Sequence, residues 1–216
     1  MYCPKLFQQH RPDDLHDLIQ THSLGAWTCW ADNQLIVNHI PFLLDPDTGT
    51  HGVLHGHVAR ANPVWQKINS STPSVVCFQG SQAYISPSWY ASKEVHGKVV
   101  PTWNYTAVHI HGEPKVIDTE EWLRSHVEQL SSFNEKNRDT PWQVTDAPAS
   151  YIEKMLRGIV GIEITIQTIE GRWKVSQNKN AEDKRGIEQG LSKLTNSNAK
   201  NMAHLVAGTN STGVSE

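Results

Sequence analysis

The chain has 216 residues, of which 38% are hydrophobic and 19% charged, and its mean hydropathy of −0.49 is ordinary for a globular protein. The formal net charge of −3 disfavours a protein that holds nucleic acid through a broad basic surface. The three cysteines are widely spaced and form no CxxC, so neither a disulfide framework nor a cysteine zinc site is indicated. No apolar run has the length of a membrane span, and the first residues lack the apolar segment of a signal peptide. We therefore expect a cytoplasmic location.

The first half of the chain predicts one helix followed by short strands. The helix covers residues 12–22, beginning at Pro12 and ending before Gly25. Asp32-Asn33 and Gly80-Ser81 are typical of turns between strands. The strands are predicted over residues 26–31, 34–44, 53–58, 74–79, 82–86 and 105–117.

The second half is richer in helical patterns. Apolar residues at helical spacing follow an N-cap pattern at residues 118–121, and further helices are predicted over 148–157 and 181–194. A strand over 159–169 is expected to turn at Glu170-Gly171 into 173–175. The chain thus predicts a mostly β fold with peripheral helices, in which six or seven mostly antiparallel strands close into a barrel.

The domain organisation follows from the composition of the C-terminal end. Residues 196–216 are rich in Asn, Ser, Thr and Gly, and we predict that they form a flexible tail. Residues 1–195 are then left as a single domain.

Three polar and aromatic clusters lie at residues 55–63, 86–93 and 101–105. Each combines a cation or hydroxyl with a flat ring, which suits a ligand with a phosphate at one end and a planar heterocycle at the other. Each also has a plainer interpretation. The first cluster alone is equally typical of an exposed turn, and the second of a capped short helix with a solvated lysine.

The histidines raise the question of a metal site. His55 and His57 lie on one face of a predicted strand, as do His109 and His111. No carboxylate or cysteine joins either pair in a recognised ligand pattern, so we predict no metal site.

Taken together, several segments of the chain resemble the PaiB family of FMN-binding negative transcriptional regulators. The resemblance covers nearly the whole chain. Its segments are the opening Met-Tyr-Cys-Pro, Asn-His-Ile-Pro-Phe at 38–42, Gly-His-Val-Ala-Arg-Ala-Asn-Pro at 56–63, Ala-Tyr-Ile-Ser-Pro-Ser-Trp-Tyr at 83–90, Val-Pro-Thr-Trp-Asn-Tyr at 100–105, Ile-Val-Gly-Ile-Glu at 159–163 and Trp-Lys-Val-Ser-Gln-Asn at 173–178.

The resemblance implies a split β-barrel of the FMN-binding, pyridoxamine-phosphate-oxidase-like type. It also implies a homodimer with FMN at the subunit interface, and we expect that interface to include residues 105–117 or their neighbours. Arg60 and Lys93 are the expected phosphate ligands, with Arg60 the stronger because a guanidinium can hold two oxygens. The full predicted cofactor set is Asn38, His39, Pro41, His57, Arg60, Asn62, Ser86, Ser88, Tyr90, Lys93, Thr102, Trp103, Asn104, Gln177 and Asn178, the last two reaching FMN from the partner subunit.

The predicted function is therefore FMN binding with a redox or sensing role, and any enzymatic activity would be that of an FMN-dependent oxidoreductase. Two alternatives stay open at the level of sequence. One is a transcriptional repressor that binds DNA directly, which the scattered basic residues disfavour. The other is a split-barrel relative that binds or degrades haem.

Overall fold

The computed structural model describes residues 1–209, and in this range eight strands form one sheet. The strands are β1 (Gln8–Gln9), β2 (Leu24–Ala31), β3 (Gln34–Pro41), β4 (Leu43–Asp45), β5 (Val53–Ala59), β6 (Ser74–Ile85), β7 (Thr102–Ile117) and β8 (Ile159–Lys174). The helices are α1 (Pro12–Thr21), α2 (Ser92–His96), α3 (Glu120–Glu135), α4 (Ala149–Leu156), α5 (Ala181–Ser192) and α6 (Ser197–Gly208). Short 3-10 turns cover Lys5–Phe7, Pro63–Gln66, Pro87–Trp89 and Val144–Asp146.

The sheet has the strand order β3-β2-β6-β7-β8-β5-β4, and β1 pairs with β8. The hairpin of β2 and β3 is antiparallel, with Trp30 opposite Leu35, and its turn residues Asp32 and Asn33 have φ of 52° and 58°. Such left-handed pairs match the twist of a two-residue hairpin, so the predicted turn is confirmed. The antiparallel sheet and its helices confirm the mostly β fold class.

The turns predicted at Gly80-Ser81 and Glu170-Gly171 are wrong, because in each case the glycine lies inside a continuous strand. Gly80 lies within β6, where a Cβ would come 2.3 Å from the hydroxyl oxygen of Thr106. Gly171 lies within β8, where a Cβ would come 2.3 Å from Leu15. Each glycine permits a close approach on the sheet surface, which is a second common reason for glycine in a strand.

The described residues form two compact units. The first comprises Met1–Leu18, Gln79–Val108 and the described part of Glu170–Glu216, and the second comprises Ile19–Phe78 and His109–Ile169. In the first unit, α5 and α6 pack with Ile85, Tyr90 and Val175 around a buried core. In the second, Leu123 of α3 packs with Val144, Ile152 and Leu156. The single-domain description of residues 1–195 stays a prediction.

Most of the described part of the predicted flexible tail is helical. Residues Ser197–Gly208 form α6, and the side chain of Asn196 caps it by accepting a hydrogen bond from Ala199 N over 2.8 Å. Met202 and Val206 of this helix are fully buried. The Asn and Ser residues that suggested a loop therefore serve as helix-capping chemistry. Residues 210–216 of the predicted tail lie outside the described residues.

No helix among residues 1–209 combines the length and the apolar character needed to cross a bilayer.

Candidate functional site

The predicted cofactor residues divide between the two units. The second unit holds the earlier residues of the set, Asn38, His39, Pro41, His57, Arg60 and Asn62. The first unit holds the remaining nine, Ser86, Ser88, Tyr90, Lys93, Thr102, Trp103, Asn104, Gln177 and Asn178.

Four predicted residues of the first unit meet at one cavity of about 190 Å³, which we call the polar cleft. Its lining residues are Tyr90, Val100, Pro101, Thr102, Asn104, Lys174, Ser176, Asn178 and Lys179. Tyr90, Thr102, Asn104 and Asn178 belong to the predicted set. Two ammonium groups, three hydroxyls and two amides among these lining residues form a donor-rich surface that suits an oxyanion.

Two buried polar atoms of the polar cleft residues have no hydrogen-bond partner within residues 1–209. Asn104 is fully buried, and its Nδ2 donates to Ser176 Oγ over 2.8 Å, while its Oδ1 has no partner. The hydroxyl of Tyr90, a residue 2% exposed, is also without a partner. Burying such atoms unpaired costs roughly 1–3 kcal/mol each, so both fit a polar ligand bound in the cleft.

The two lysines of the polar cleft are held differently. Lys174 Nζ donates to Trp103 O over 2.7 Å and to the Thr102 hydroxyl, which fixes its position. Burial, and secondarily the charge of Arg172, lower the pKa of Lys174, and no carboxylate within residues 1–209 forms an ion pair with it. Lys179 Nζ lies 4.5 Å from the centre of the Tyr90 ring, and its ammonium has no described carboxylate partner in the structured range. Both cations are therefore available to an anion.

Trp103 faces away from this cleft because side chains alternate along β7. It lies at a more open cavity of about 540 Å³, lined by Gln82, Ala83, Tyr84, Trp89, Trp103, Leu194, Asn196, Asn198 and Ala199. Tyr84 and Trp103 meet edge to face with ring centres 6.2 Å apart. The three consecutive residues of the predicted cofactor set thus divide, with Thr102 and Asn104 at one cavity and Trp103 at the other.

The turn from β8 to α5 supplies the residues that the sequence reasoning missed. Lys174, Ser176 and Lys179 all line the polar cleft, although only Gln177 and Asn178 of this segment were predicted. Ser176 is buried in a left-handed conformation with φ of 64°, and its carbonyl accepts from Lys179 N over 3.0 Å. The segment was visible as a family motif, but nothing in its residue types distinguishes the three missed side chains from solvated ones.

In the second unit, Arg60 is engaged by partners of its own chain. Its guanidinium forms a two-pronged ion pair with Asp118, and it also donates to Arg157 O over 2.7 Å and to Ile159 O over 2.9 Å. Hydrogen bonding to Arg60 lowers the pKa of the Asp118 carboxyl. Four of the five guanidinium N–H groups are used in these contacts. The role of Arg60 as a phosphate ligand stays a prediction.

The neighbouring amides and histidine of the second unit are also paired. Asn62 Nδ2 donates to Asn38 Oδ1 over 2.7 Å, and Asn38 Nδ2 is a buried donor with no partner among the described residues. His57 Nδ1 lies 3.0 Å from His126 Nε2, a residue that was not predicted. Of the five buried side-chain atoms without a partner in residues 1–209, three belong to predicted cofactor residues, namely Asn38, Tyr90 and Asn104.

The remaining predicted residues have no ligand-like arrangement of their own. Ser86 Oγ accepts from Ser88 N over 3.2 Å and caps a 3-10 turn. Gln177 binds the backbone at both ends of its amide, donating to Trp173 O and accepting from Val175 N. Lys93, His39 and Ser88 are exposed, and Pro41 is half-buried. Their cofactor roles stay predictions.

The family of the chain follows from comparison with known sequences. A family model described as "Putative FMN-binding domain" matches residues 1–168. The chain belongs to this family. The protein "Protease synthase and sporulation protein PAI 2" of Bacillus subtilis is 33% identical over 206 residues, which cover 95% of this chain and 96% of that protein. The protein AN0679 of Emericella nidulans is 32% identical over 241 residues, with the same coverage of 95% and 96%. The resemblance to the PaiB family is confirmed.

Solved structures with low sequence identity share the fold. The FAD- and haem-binding protein of Mycobacterium smegmatis has a TM-score of 0.59 at 16% identity, covering 85% of this chain and 80% of that one. The flavocytochrome Anf3 of Azotobacter vinelandii has a TM-score of 0.55 at 10% identity, covering 77% of this chain and 69% of that one. These similarities, together with the sheet topology, confirm the predicted split-barrel fold class.

Proposed function

We propose that this chain is an FMN-binding flavoprotein with a redox or sensing role. The observation that carries the proposal is the concentration of unpartnered buried polar atoms on predicted cofactor residues, Asn38 in one unit and Tyr90 and Asn104 in the other. Membership in a family described by FMN binding supports the choice of ligand. Bound FMN would supply the electron chemistry, and the residues of this chain would bind and orient it.

The chemistry of the residues present fits FMN. Its phosphate needs cations, which Lys174 and Lys179 offer, and its ribityl hydroxyls need both donors and acceptors. Its ring needs flat apolar walls, and the half-exposed aromatic side chains of Tyr84 and Trp103 line the second, more open cavity of the same unit. The polar cleft alone is smaller than the roughly 300–1,000 Å³ of complete ligand pockets, so it suits one end of the molecule.

The purified protein tests this proposal through its absorption spectrum and through the mass of the small molecule released on denaturation. We expect flavin absorption bands and the mass of FMN. A Soret band with the mass of haem would instead support the haem-binding alternative, which has the FAD- and haem-binding protein of Mycobacterium smegmatis as a precedent for the fold. A colourless protein that fails to bind added FMN would contradict the proposal.

A cytoplasmic homodimer is part of the same proposal. Four large apolar side chains, Leu24, Trp30, Leu35 and Val37, project from one face of the β2–β3 hairpin, each at least 49% exposed. We call this set the hairpin face. It lies at one end of the sheet, because β3 is the last strand in the order. Exposed apolar clusters of this kind mark interaction surfaces, and a second copy of the chain is the partner that family resemblance favours. By contrast, the exposed side chains of β7 within residues 105–117 are polar, namely His111, Glu113 and Lys115.

A further inference from the structure

We infer that the polar cleft binds the phosphate and the adjoining hydroxyls of the flavin side chain, and that Lys179, not Arg60, is the main phosphate contact. This assignment rests on the proposed FMN function and adds to it the place and the chemistry of one subsite. Neither Lys179 nor Lys174 belongs to the set that the sequence predicts.

The first argument is the state of the candidate cations. Lys174 uses two of its three ammonium protons on Trp103 O and the Thr102 hydroxyl, so one proton is left for a ligand. Lys179 rests against the ring face of Tyr90 at 4.5 Å, with all three protons unassigned among the described contacts. Arg60, by contrast, has an ion-pair partner in Asp118 and two carbonyl acceptors. A phosphate at Arg60 would find one N–H left and a carboxylate already beside it, whereas a phosphate at Lys179 would meet an ammonium with no acceptor among the described residues.

The second argument comes from the two buried atoms without a partner, the Tyr90 hydroxyl and Asn104 Oδ1, because an anion alone cannot pair with both. A phosphate dianion offers only acceptors, so it can accept from the Tyr90 hydroxyl but cannot satisfy Asn104 Oδ1. Asn104 Oδ1 requires a donor, and a hydroxyl group of the ligand is the simplest one. The site therefore selects a phosphate monoester that carries neighbouring hydroxyls, as the ribityl phosphate of FMN does, over a bare phosphate.

The geometry of the cleft is fixed by its own contacts. The hydrogen bond from Asn104 Nδ2 to Ser176 Oγ determines which end of the amide points away from Ser176. The turn that begins at Ser176 then places Lys179 beside Tyr90, and the next residue, Asn180, caps α5 through a hydrogen bond from Asp183 N. The backbone of Lys179 is thus held between a buried turn and a capped helix, and its ammonium lies over the ring of Tyr90.

Comparison of FMN with riboflavin isolates the phosphate contribution, because the two ligands differ only in that group. We expect the flavin-free wild type to bind FMN more tightly than riboflavin. In Lys179→Ala the affinity for FMN should fall by about 10–100-fold, the range for one charge-assisted contact, while riboflavin affinity stays the same. Lys200→Ala, an exposed lysine on α6 of the same unit, is the matched control and should leave both affinities unchanged.

The Asn104 assignment has its own readout. Asn104→Asp adds a charge at an otherwise similar shape and should lower FMN affinity more than riboflavin affinity, because it repels the phosphate. Circular dichroism and a denaturant midpoint confirm that each variant is folded before affinities are compared.

The outcomes separate this inference from the proposed function. If Lys179→Ala keeps the full FMN preference, or if Arg60→Ala removes that preference while remaining folded, the phosphate lies elsewhere and the inference is overturned.

If the wild type binds neither flavin, the proposed function fails. Ribitol 5-phosphate is then the probe. Binding that Lys179→Ala abolishes would uphold the cleft as a polyol phosphate site, and lack of binding would overturn it.

Discussion

Half-buried His57 and buried His126 form a pair in which Nδ1 of the first lies 3.0 Å from Nε2 of the second. His126 also stacks on Trp122, with ring centres 5.0 Å apart, and Trp122 meets His55 edge to face. Burial, followed by the charges of His57 and His55, lowers the pKa of His126 to about 3, and burial lowers the pKa of His57. The pair is therefore held in its neutral form, with one ring donating to the other.

The first prediction is that the second unit loses stability in mild acid. The unfolded chain binds a proton at each histidine near pH 6.5, whereas the folded pair does not. The contribution of the pair to the free energy of unfolding is therefore nearly constant above about pH 7 and falls below it. For His126 alone the loss between pH 7.5 and 5.5 should be about 1.4 kcal/mol. Urea unfolding at both pH values measures it.

The control for this prediction uses an exposed histidine of the same unit. His126→Gln should weaken the pH dependence, because the replaced side chain takes up no proton in the unfolded chain. His51→Gln should leave the pH dependence close to that of the wild type. Equal pH dependence in the wild type and in His126→Gln would show that the pair does not control acid stability.

The second prediction concerns Arg60 as a structural residue. Arg60→Ala removes a two-pronged ion pair and two hydrogen bonds to backbone carbonyls. Because Arg60 and Asp118 are 37% and 44% exposed, solvent screens the pair, and we expect a loss of only about 1–2 kcal/mol. Arg124→Ala, which breaks a single-contact surface pair with Glu120, should cost less than about 0.5 kcal/mol. Denaturant titration compares the two variants, and equal losses would argue against a structural role for Arg60.

The third prediction tests two glycines in helices. A Cβ at Gly190 of α5 would come 2.3 Å from the Trp89 ring, so Gly190→Ala should destabilise the fold by about 1–3 kcal/mol despite the better helix propensity of alanine. At Gly208 of α6 no atom of residues 1–209 lies within 4 Å of the added Cβ. Gly208→Ala should be neutral or slightly stabilising. The midpoints of thermal unfolding of the two variants and the wild type test this prediction. A Gly190→Ala variant as stable as the wild type would mean that Trp89 can move aside without cost.

The local parts of the fold were predictable because their signals lie within a few residues. Asp32-Asn33 specifies a hairpin turn by its tolerance of left-handed conformations, and the helices α1 and α5 follow their apolar spacing. Gly80 and Gly171 were misread because a glycine required by a turn and one required by close packing look alike in sequence. The choice depends on Thr106 and Leu15, which lie far along the chain.

The sequence suggests candidate site residues by their type, but it does not show which side chains contact one another. The motif at residues 56–63 predicts a phosphate role for Arg60 and gives no sign of its ion-pair partner Asp118, which is 58 residues away and carries no local signal. Lys179 is the opposite case. It is an ordinary lysine in sequence, and only the packing of its turn against Tyr90 gives it a place at the cleft. Whether a lysine or arginine already has an ion-pair partner depends on the tertiary structure, which the local sequence does not show.

The fourth prediction concerns the proposed homodimer. Leu35→Lys combined with Val37→Lys places two charges on the hairpin face and should convert the dimer to a monomer, because burying unpaired charges is strongly unfavourable. Tyr151→Lys, at another exposed apolar residue on α4, is the control and should stay dimeric. Light scattering at micromolar concentration gives the mass. A monomeric wild type would contradict the dimer itself, and a dimeric double variant would place the interface elsewhere, for example along residues 105–117.

The last prediction concerns direct DNA binding. A protein that holds DNA must offer several free cations to phosphates, and each neutralised phosphate adds about 0.9 to the slope of log affinity against log salt. Here 19 Lys and Arg stand against 22 Asp and Glu, and several cations are already paired with carboxylates, including Arg60, Lys67, Lys115, Arg124 and Arg138.

We therefore expect weak binding that does not depend on DNA sequence, with a shallow salt slope. Fluorescence anisotropy with a fragment of the promoter of the protein's own gene and a shuffled fragment of equal length, over about 50–200 mM salt, measures both properties. The comparison should be made with and without FMN, since a flavin-dependent change would indicate gating. Similar affinities for the two fragments would leave any regulatory effect to flavin chemistry or to a partner protein. Tight binding to the promoter fragment alone, at physiological salt, would instead favour a repressor that contacts DNA directly.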